Sequence, residues 1–367
     1  MTSLYLHIPF CEKKCFYCSF VVAIAQDQWI DSYLDCLNQE ARPYQGELVD
    51  TVYLGGGTPT YLSLEQLERL FSMIRRNFQL TPECEFTIEA NPEGMDPVRA
   101  KLLIALGVNR ISLGIQSLND CYLKYLGRCH DAQLARNAFD NLRKAGFKNI
   151  NVDLMYSFPG ETEKEIEDDV IAIKALNSDH LSLYTLTIEE NSKFYASKVV
   201  LDHGENRARQ YEFVIGLLEK SDFKQYEISN FAKIGKESRH NLNYWRGGNY
   251  IGLGIGAHSH INGQRFWNVG KLNLYLSKIE KGEDPTEGRE QLTLEQQLIE
   301  TMLVGLRMSQ GVSVGELEKK TGKNIGKDRK VKINGFIQAG LLKWDHDRLI
   351  ATSQGRLMLD EICSHLI

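Results

Sequence analysis

Three cysteines lie within eight residues near the start of the chain, in the segment Cys11-Glu-Lys-Lys-Cys15-Phe-Tyr-Cys18. Thiolates at this spacing can bind three irons of a cubane iron–sulfur cluster, and the fourth iron is then open to a substrate or a cofactor. Two alternatives remain open. A structural zinc ion would need a fourth ligand such as His7, and a disulfide would leave one cysteine unpaired. The spacing favours the cluster, with Cys11, Cys15 and Cys18 as its metal ligands.

The bulk properties are those of an ordinary globular protein. The chain has 367 residues, of which 43% are hydrophobic and 25% are charged, so it can bury a large core in two or three domains. No apolar run approaches the ~20 residues that cross a bilayer. The net charge of −5 argues against a general nucleic-acid-binding protein. The N-terminal residues lack the basic and apolar regions of a secretory signal, so we expect a cytoplasmic protein.

The first half of the chain alternates short apolar runs with stretches of helical periodicity. Strands joined by helical crossovers run parallel, with right-handed connections. Such a chain forms either a barrel or an open doubly wound sheet, and in both folds the reactive groups gather at the carboxyl ends of the strands. The predicted strands are residues 3–8, 51–54, 85–90, 110–114, 149–155 and 180–186.

Polar and glycine residues lie where these strands end. Gly55-Gly56-Gly57 follows the second strand, Glu89 lies at the end of the third, Gln116 follows the fourth and Asp153 lies on the fifth. Carboxylates suit ribose hydroxyls, and Arg128 suits a carboxylate partner. The glycines either approach a ligand closely or form a tight turn. Each residue alone is also consistent with a structural role, but their common position predicts one nucleoside site beside the cysteines.

The second half contains the segment His240-Asn-Leu-Asn-Tyr-Trp245 in a stretch that we interpret as rich in loops. An imidazole suits axial ligation of haem iron, and the two aromatic rings suit stacking on a flat macrocycle. From the residues alone, a loop with buried aromatic side chains is the simpler interpretation. His258 and His260 are further candidate ligands with the same weakness.

Three regions follow from these patterns. Residues 1–235 carry the strand–helix repeats, residues 236–290 carry the His240 segment and a polar linker at 281–289, and residues 291–367 form helices followed by a short hairpin. The last region is winged-helix-like. Its basic residues between Lys319 and Lys332 are interpreted as a solvated surface rather than a nucleic-acid site.

The cysteine motif resembles that of the radical SAM superfamily, in which the open iron of a [4Fe–4S] cluster binds S-adenosylmethionine (SAM) and cleaves it reductively. Five further segments, in order, resemble the oxygen-independent coproporphyrinogen oxidase group. These segments are Tyr5-Leu-His-Ile-Pro-Phe-Cys11, Gly55-Gly-Gly-Thr-Pro-Thr60, Ile88-Glu-Ala-Asn-Pro92, Ser112-Leu-Gly-Ile-Gln-Ser117 and Asp153-Leu-Met-Tyr-Ser-Phe-Pro-Gly160.

This resemblance implies an α/β fold, a partial (β/α)6 radical SAM barrel with a smaller C-terminal winged-helix-like α+β domain. It also implies that the cofactors are a [4Fe–4S] cluster and SAM. The implied SAM contacts are Tyr5, Gly56, Gly57, Thr58, Glu89, Gln116, Arg128 and Asp153.

Two features distinguish between subfamilies. The oxidase pattern has a fourth cysteine two residues after the third, where this chain has Phe20, and His240-Asn-x-x-Tyr-Trp245 resembles the signature of HemW-type haem chaperones. This second resemblance implies haem binding through His240 and transfer of haem to apo-haemoproteins, such as respiratory cytochromes or haem-storage proteins. The hypothesis includes a haem-dependent homodimer and assigns no catalytic residue. The alternative is oxidative decarboxylation of coproporphyrinogen III.

Overall fold

Six parallel strands form the centre of the fold. The computed structural model describes residues 2–367. The six strands are hydrogen-bonded in chain order within one sheet, and the apolar side chains on their outer side pack against the crossover helices. This arrangement confirms the parallel strand–helix repeat. The strands are β1 (Thr2–Ile8), β2 (Glu47–Gly56), β3 (Phe78–Ala90), β4 (Arg110–Gln116), β5 (Ile150–Tyr156) and β6 (His180–Thr185).

The crossover helices begin and end at the signals that the sequence carries. Ser63 and Gln66 form a reciprocal capping box at the start of the second helix. Gly146, with a φ of 110°, ends the helix before β5 in the left-handed conformation that favours glycine. The helices are Ile30–Ala41, Leu64–Asn77, Pro97–Ala105, Asp120–Leu126, Ala132–Ala145 and Glu163–Ala175.

Both edges of the parallel sheet are extended, so the sheet stays open rather than closing as a full barrel. On one side β8 (Asn230–Ala232) pairs antiparallel with β6, and β7 (Lys224–Gln225) pairs antiparallel with β8. On the other side β9 (Asn249–Leu253) runs parallel to β1 and is followed by three antiparallel strands. These are β10 (His258–Ile261), β11 (Gln264–Asn268) and β12 (Thr286–Gln291).

Two expectations for this extension differ from the structure. The segment 281–289 was expected to be a linker, but its second half forms part of β12, an edge strand whose side chains are mostly exposed and therefore lack apolar alternation. The His240 segment was expected to be a loop, but Arg239–Trp245 is a helix. Ser238 caps this helix, and the carboxylate of Glu85 accepts the backbone N–H groups of Arg239 and His240. Further helices are Lys193–Ala196, Gly204–Glu219 and Leu272–Glu280.

The C-terminal region has a hydrophobic core of its own. Three short strands, Val312–Ser313, Leu342–Asp345 and Arg348–Ala351, form a small antiparallel sheet. Helices surround this sheet, which confirms the winged-helix-like α+β prediction. These helices are Leu294–Gly305, Val314–Thr321, Lys327–Gln338, Ser353–Leu357 and Leu359–Leu366.

Within residues 2–367, the structure contains no helix with the length and apolar character needed to cross a membrane.

Candidate cofactor site at the carboxyl ends of the strands

A cavity of about 790 Å3 lies at the carboxyl ends of the central strands. It brings together the three cysteines and every predicted SAM-contacting residue except Tyr5. Tyr53, Asn91, Tyr184 and Asp360, which the sequence analysis did not single out, also line it. The predicted residues in its wall are Cys11, Cys15, Cys18, Gly56, Gly57, Thr58, Glu89, Gln116, Arg128 and Asp153.

The cysteine loop is held on both sides by backbone hydrogen bonds. Phe10–Cys11 pairs in parallel with Ala23–Ile24, and the N–H of Phe16 donates to the carbonyl of Leu126 at 2.9 Å. All three thiols are free of disulfides. Cys11 is buried, whereas Cys15 and Cys18 are half-buried at the cavity wall.

Polar groups lie against two of the three thiols. The Thr58 hydroxyl lies 3.3 Å from Cys11 Sγ, and Arg128 Nη1 donates to Cys15 Sγ at 3.3 Å. Burial raises the pKa of the Cys11 thiol to about 11, and it also raises the pKa of Cys18. Because the thiolate is the metal-binding form, metal binding here must displace protons.

The glycines at the end of β2 allow this strand to lie close to the cysteine loop. At Gly56, with a φ of 113°, an added Cβ would lie 2.7 Å from the His7 ring, and at Gly57 it would lie 2.6 Å from the carbonyl oxygen of Pro9. The N–H of Gly57 donates to the carbonyl of Ile8 at 2.8 Å. The sequence left open a ligand contact or a turn, and the structure shows close strand packing at residues that also line the cavity.

Two half-buried carboxylates also line the cavity. Glu89 accepts hydrogen bonds from the Tyr53 hydroxyl at 2.9 Å and the Gly56 N–H at 3.1 Å. Asp153 accepts from Ser112 at 3.1 Å and from Asn151 at 2.8 Å. Burial, assisted by the negative charge of Asp153, raises the pKa of Glu89 to about 7. Burial also raises the pKa of Asp153.

Arg128 connects the cysteine loop to the ends of β3 and β4. Its Nη2 donates to Asn91 Oδ1 and to the Gly114 carbonyl, both at 2.8 Å, while its buried Nε has no partner within residues 2–367. Asn91 in turn donates to Thr58 at 3.1 Å. Asn91 was missed, although its position directly after β3 matches the strand-end rule that identified Glu89.

Gln116 has a backbone conformation that is rare for a residue with a side chain. Its φ is 71°, and the pairing of β4 with β5 is irregular between Gly114 and Gln116. A non-glycine residue in the left-handed region is strained, and such strain concentrates at functional sites. The irregularity lies in the cavity wall, which supports the predicted role of Gln116 in binding.

Comparisons with known proteins agree with this geometry. Residues 5–172 match the radical SAM superfamily model, and residues 292–358 match the model of the HemN C-terminal domain. The heme chaperone HemW of Bacillus subtilis (strain 168) is 38% identical over 99% of this chain and 98% of its own. The HemW of Lactococcus lactis subsp. lactis (strain IL1403) is 37% identical over 96% of this chain and 94% of its own.

The chain belongs to the HemW family of the radical SAM superfamily. The solved structure of coproporphyrinogen III oxidase (HemN) from Escherichia coli, described as a radical SAM enzyme, superposes with a TM-score of 0.87. The superposition covers 100% of this chain and 89% of that one at 24% identity. It confirms the predicted fold, a partial radical SAM barrel with a smaller C-terminal domain.

The residues of this HemW-family cavity fit an iron–sulfur cluster. The three thiols share one cavity wall, with the Thr58 hydroxyl and the Arg128 guanidinium against two of their sulfurs. Hydrogen bonds of this kind to cluster sulfurs tune the potential of a cluster.

His240, the first residue of the His240–Trp245 segment, is not among the residues that line the cavity and is buried, with 1% of its surface exposed. Its Nδ1 lies 2.8 Å from Thr51 Oγ1, and its Nε2 lies 2.9 Å from the Tyr244 hydroxyl. Its ring packs on Tyr53 with the centroids 5.1 Å apart. Burial, assisted by the positive charge of Arg110, lowers the pKa of His240 to about 3, so the ring is neutral. Iron ligation by His240 stays a prediction, and it would require at least one of these bonds to break.

Tyr5 lies outside the group that lines the cavity. Its ring stacks on Tyr53, with the centroids 6.3 Å apart, and its hydroxyl lies 3.0 Å from His7 Nδ1. Since Tyr53 lines the cavity, Tyr5 supports the wall from behind. A direct contact between Tyr5 and SAM therefore stays a prediction from the family resemblance.

Proposed function

We propose that this chain is a haem chaperone, which binds haem and passes it to client haemoproteins, and that its cavity holds a SAM-coordinated [4Fe–4S] cluster. The observation that carries the proposal is the match to HemW proteins over nearly the whole chain, C-terminal region included. Clients that accept haem from such a protein are apo-haemoproteins, including respiratory cytochromes and haem-storage proteins.

Cys11, Cys15 and Cys18 would hold three irons of the cluster. The fourth iron, when the cluster is bound, supplies an open coordination site for the amino and carboxylate groups of SAM. Glu89 and Asp153 are placed to accept hydrogen bonds from a bound nucleoside or amine, and Arg128 is placed to donate to a carboxylate. The strained Gln116 completes this wall.

Phe20 favours the chaperone over the decarboxylase. It lies at the cavity and is 65% exposed, in the position where the oxidase pattern has its fourth cysteine. An apolar, exposed ring cannot replace a thiolate in any redox or ligand role. The same ring offers a contact surface to an apolar macrocycle.

The test uses the full chain, reconstituted anaerobically with iron and sulfide. We expect stoichiometric haem binding in a titration followed by absorption, and transfer of that haem to an apo-cytochrome b in a spectral assay. A haem titration in which the protein gives no more spectral change than buffer alone would refute the proposal. Conversion of coproporphyrinogen III to decarboxylated product, in the presence of SAM and a reductant, would establish the oxidase instead.

A further inference from the structure

The strands beyond β9 carry an exposed histidine that the cofactor cavity does not use. In the register of β10 and β11, His258 lies opposite Trp267 and His260 lies opposite Arg265. Directly opposed residues of an antiparallel pair lie on the same face of the sheet. The residue between the two histidines, Ser259, is buried on the other face. Both imidazoles therefore point to one side of the sheet extension.

His258 has the features of an available ligand. It is exposed, and within residues 2–367 neither of its ring nitrogens has a hydrogen-bond partner. Its ring stacks on the indole of Trp267, with the centroids 5.8 Å apart and the planes 20° apart. Trp267 is itself seated on Gly288 of β12, where an added Cβ would lie 2.2 Å from the indole. The indole thus packs beside the exposed imidazole.

The backbone just before His258 lies beside Val21, next to the wall of the cofactor cavity. Gly256, two residues before His258, has a φ of 61°, and its added Cβ would contact Val21 Cγ2 at 3.4 Å. Val21 is 37% exposed, and its neighbour Phe20, in the cavity wall, is 65% exposed. Gly270 lies beside Gly256, and the exposed Lys271 follows it.

Resting on the proposed function, we infer that His258 is the axial ligand of the haem iron and that Trp267 and the Phe20–Val21 surface support the macrocycle. A lone imidazole cannot hold a bare metal ion, which needs several protein ligands. Haem brings four equatorial nitrogens of its own, so one axial donor and a flat apolar surface are sufficient. Lys271 supplies a cation at the rim for a propionate.

His260 provides a matched control. It lies on the same strand and face, but it is half-buried, its Nδ1 lies 3.1 Å from the Gly248 carbonyl, and its ring packs beside Tyr250. His240 provides a second comparison, because both of its nitrogens are already bonded. The three histidines thus differ in how available their ring nitrogens are.

The experiment titrates hemin into the full-length, cluster-loaded protein and follows the Soret band and the low-spin iron signal. We expect His258→Ala to weaken binding by about 10-fold or more and to abolish the histidine-ligated spectrum, which millimolar imidazole should restore. Trp267→Leu should broaden the band and weaken binding by about 3-fold. His260→Ala should keep the wild-type spectrum, and His258→Ala should melt at the wild-type temperature because its side chain is exposed.

A wild-type spectrum and affinity in folded His258→Ala would overturn the assignment. Loss of the spectrum in His260→Ala, or in folded His240→Gln, with His258→Ala unaffected would overturn it as well. These results are distinct from a failure of the proposed function, in which the wild-type protein itself binds no haem. If wild-type protein binds and transfers haem while His258→Ala does so equally, only the ligand assignment fails.

Discussion

The cofactor cavity and the pocket around His240 both contact Tyr53, but they differ in how fully their polar groups are hydrogen-bonded. In the cavity, two thiols meet only one donor each, Arg128 Nε has no partner, and two carboxylates share a wide space. In the His240 pocket, formed by Ser3, Thr51, Tyr53, Glu85, His240 and Tyr244, each polar side chain has a partner.

This contrast indicates different roles. A buried polar group that is fully hydrogen-bonded contributes to stability and gains nothing from a ligand, because a ligand must first displace its partners. A buried group with spare bonding capacity is destabilising until a ligand satisfies it. The cavity is therefore expected to change with its cofactors, whereas the His240 pocket is expected to hold the helix Arg239–Trp245 against β2 and β3 in every state.

The largest expected effect is at the cysteine loop. Cys18→Ser should abolish the iron content and the visible absorbance of the reconstituted protein, because a serine hydroxyl does not replace a thiolate on iron. The circular dichroism spectrum should stay that of the wild type, since Cys18 lies on a half-buried loop. The exposed Cys121, changed to serine, is the matched control and should retain full iron. Full iron in Cys18→Ser would contradict the ligand assignment.

The second effect tests the His240 pocket. His240→Ala should lower the free energy of unfolding by about 3 kcal/mol, because it leaves a cavity and two hydroxyl groups, on Thr51 and Tyr244, without their partner. Urea unfolding measures this change. A loss below about 1 kcal/mol, together with a changed haem spectrum, would indicate that the pocket serves binding rather than stability.

The same pocket predicts that the free energy of unfolding decreases in acid. Burial lowers the pKa of His240 to about 3, so between pH 6.5 and 3 the unfolded chain binds a proton that the folded chain does not. Stability should therefore fall with pH below 6.5, by at most about 1.4 kcal/mol per pH unit for this group. The buried His180, whose pKa is also lowered by burial, adds to the slope. His240→Gln should make the slope shallower between pH 6.5 and 5, and an unchanged slope would assign it to His180 and other groups.

The two regions also differ in how well the sequence predicted them. The cavity residues were identified because the carboxyl ends of parallel strands converge, a rule that needs only the positions of Glu89, Gln116 and Asp153 along the chain. The His240 pocket depends on Glu85 and Thr51, which lie more than 150 residues away in sequence. A local sequence pattern cannot identify partners so distant in the chain, so the helix Arg239–Trp245 was predicted as a loop.

The strand β12 was missed for a different reason. Its sequence, Thr286-Glu-Gly-Arg-Glu-Gln291, lacks apolar alternation because it is an edge strand whose side chains face solvent. Its pairing with β11 comes from backbone hydrogen bonds and from Gly288, which admits the Trp267 ring. Side-chain periodicity reports burial, so an exposed edge strand gives no such signal.

A third effect, smaller than the first two, concerns Arg128. Arg128→Lys keeps the positive charge but cannot reach Asn91, Gly114 and Cys15 together, so SAM affinity should fall by about 10- to 100-fold. Equilibrium binding of SAM to the cluster-loaded protein measures this loss. Arg69→Lys, at a surface ion pair with Asp31, is the control and should bind SAM as the wild type does. Equal affinities in both variants would remove Arg128 from the binding site.

The smallest effect is a pH dependence that separates Glu89 from its neighbour. Burial and the charge of Asp153 raise the pKa of Glu89 to about 7, so the free carboxyl is largely protonated at pH 6 and largely ionised at pH 8. If bound SAM is held by the ionised form, its affinity should fall about 10-fold from pH 8 to pH 6, because binding must then expel a proton. Glu89→Gln should bind SAM more weakly and without this dependence.

Asp153→Asn tests whether Glu89 or Asp153 carries the proton that sets this pH dependence. Removing the neighbouring negative charge lowers the pKa of Glu89, so the fall in SAM affinity should move to lower pH while keeping its direction. If Glu89→Gln retains the wild-type profile and Asp153→Asn loses it, the proton belongs to Asp153, whose pKa burial also raises. A flat wild-type profile would show that SAM does not select an ionised carboxylate in this cavity. In that case the two carboxylates would resemble the His240 pocket, with hydrogen bonds that serve the fold alone.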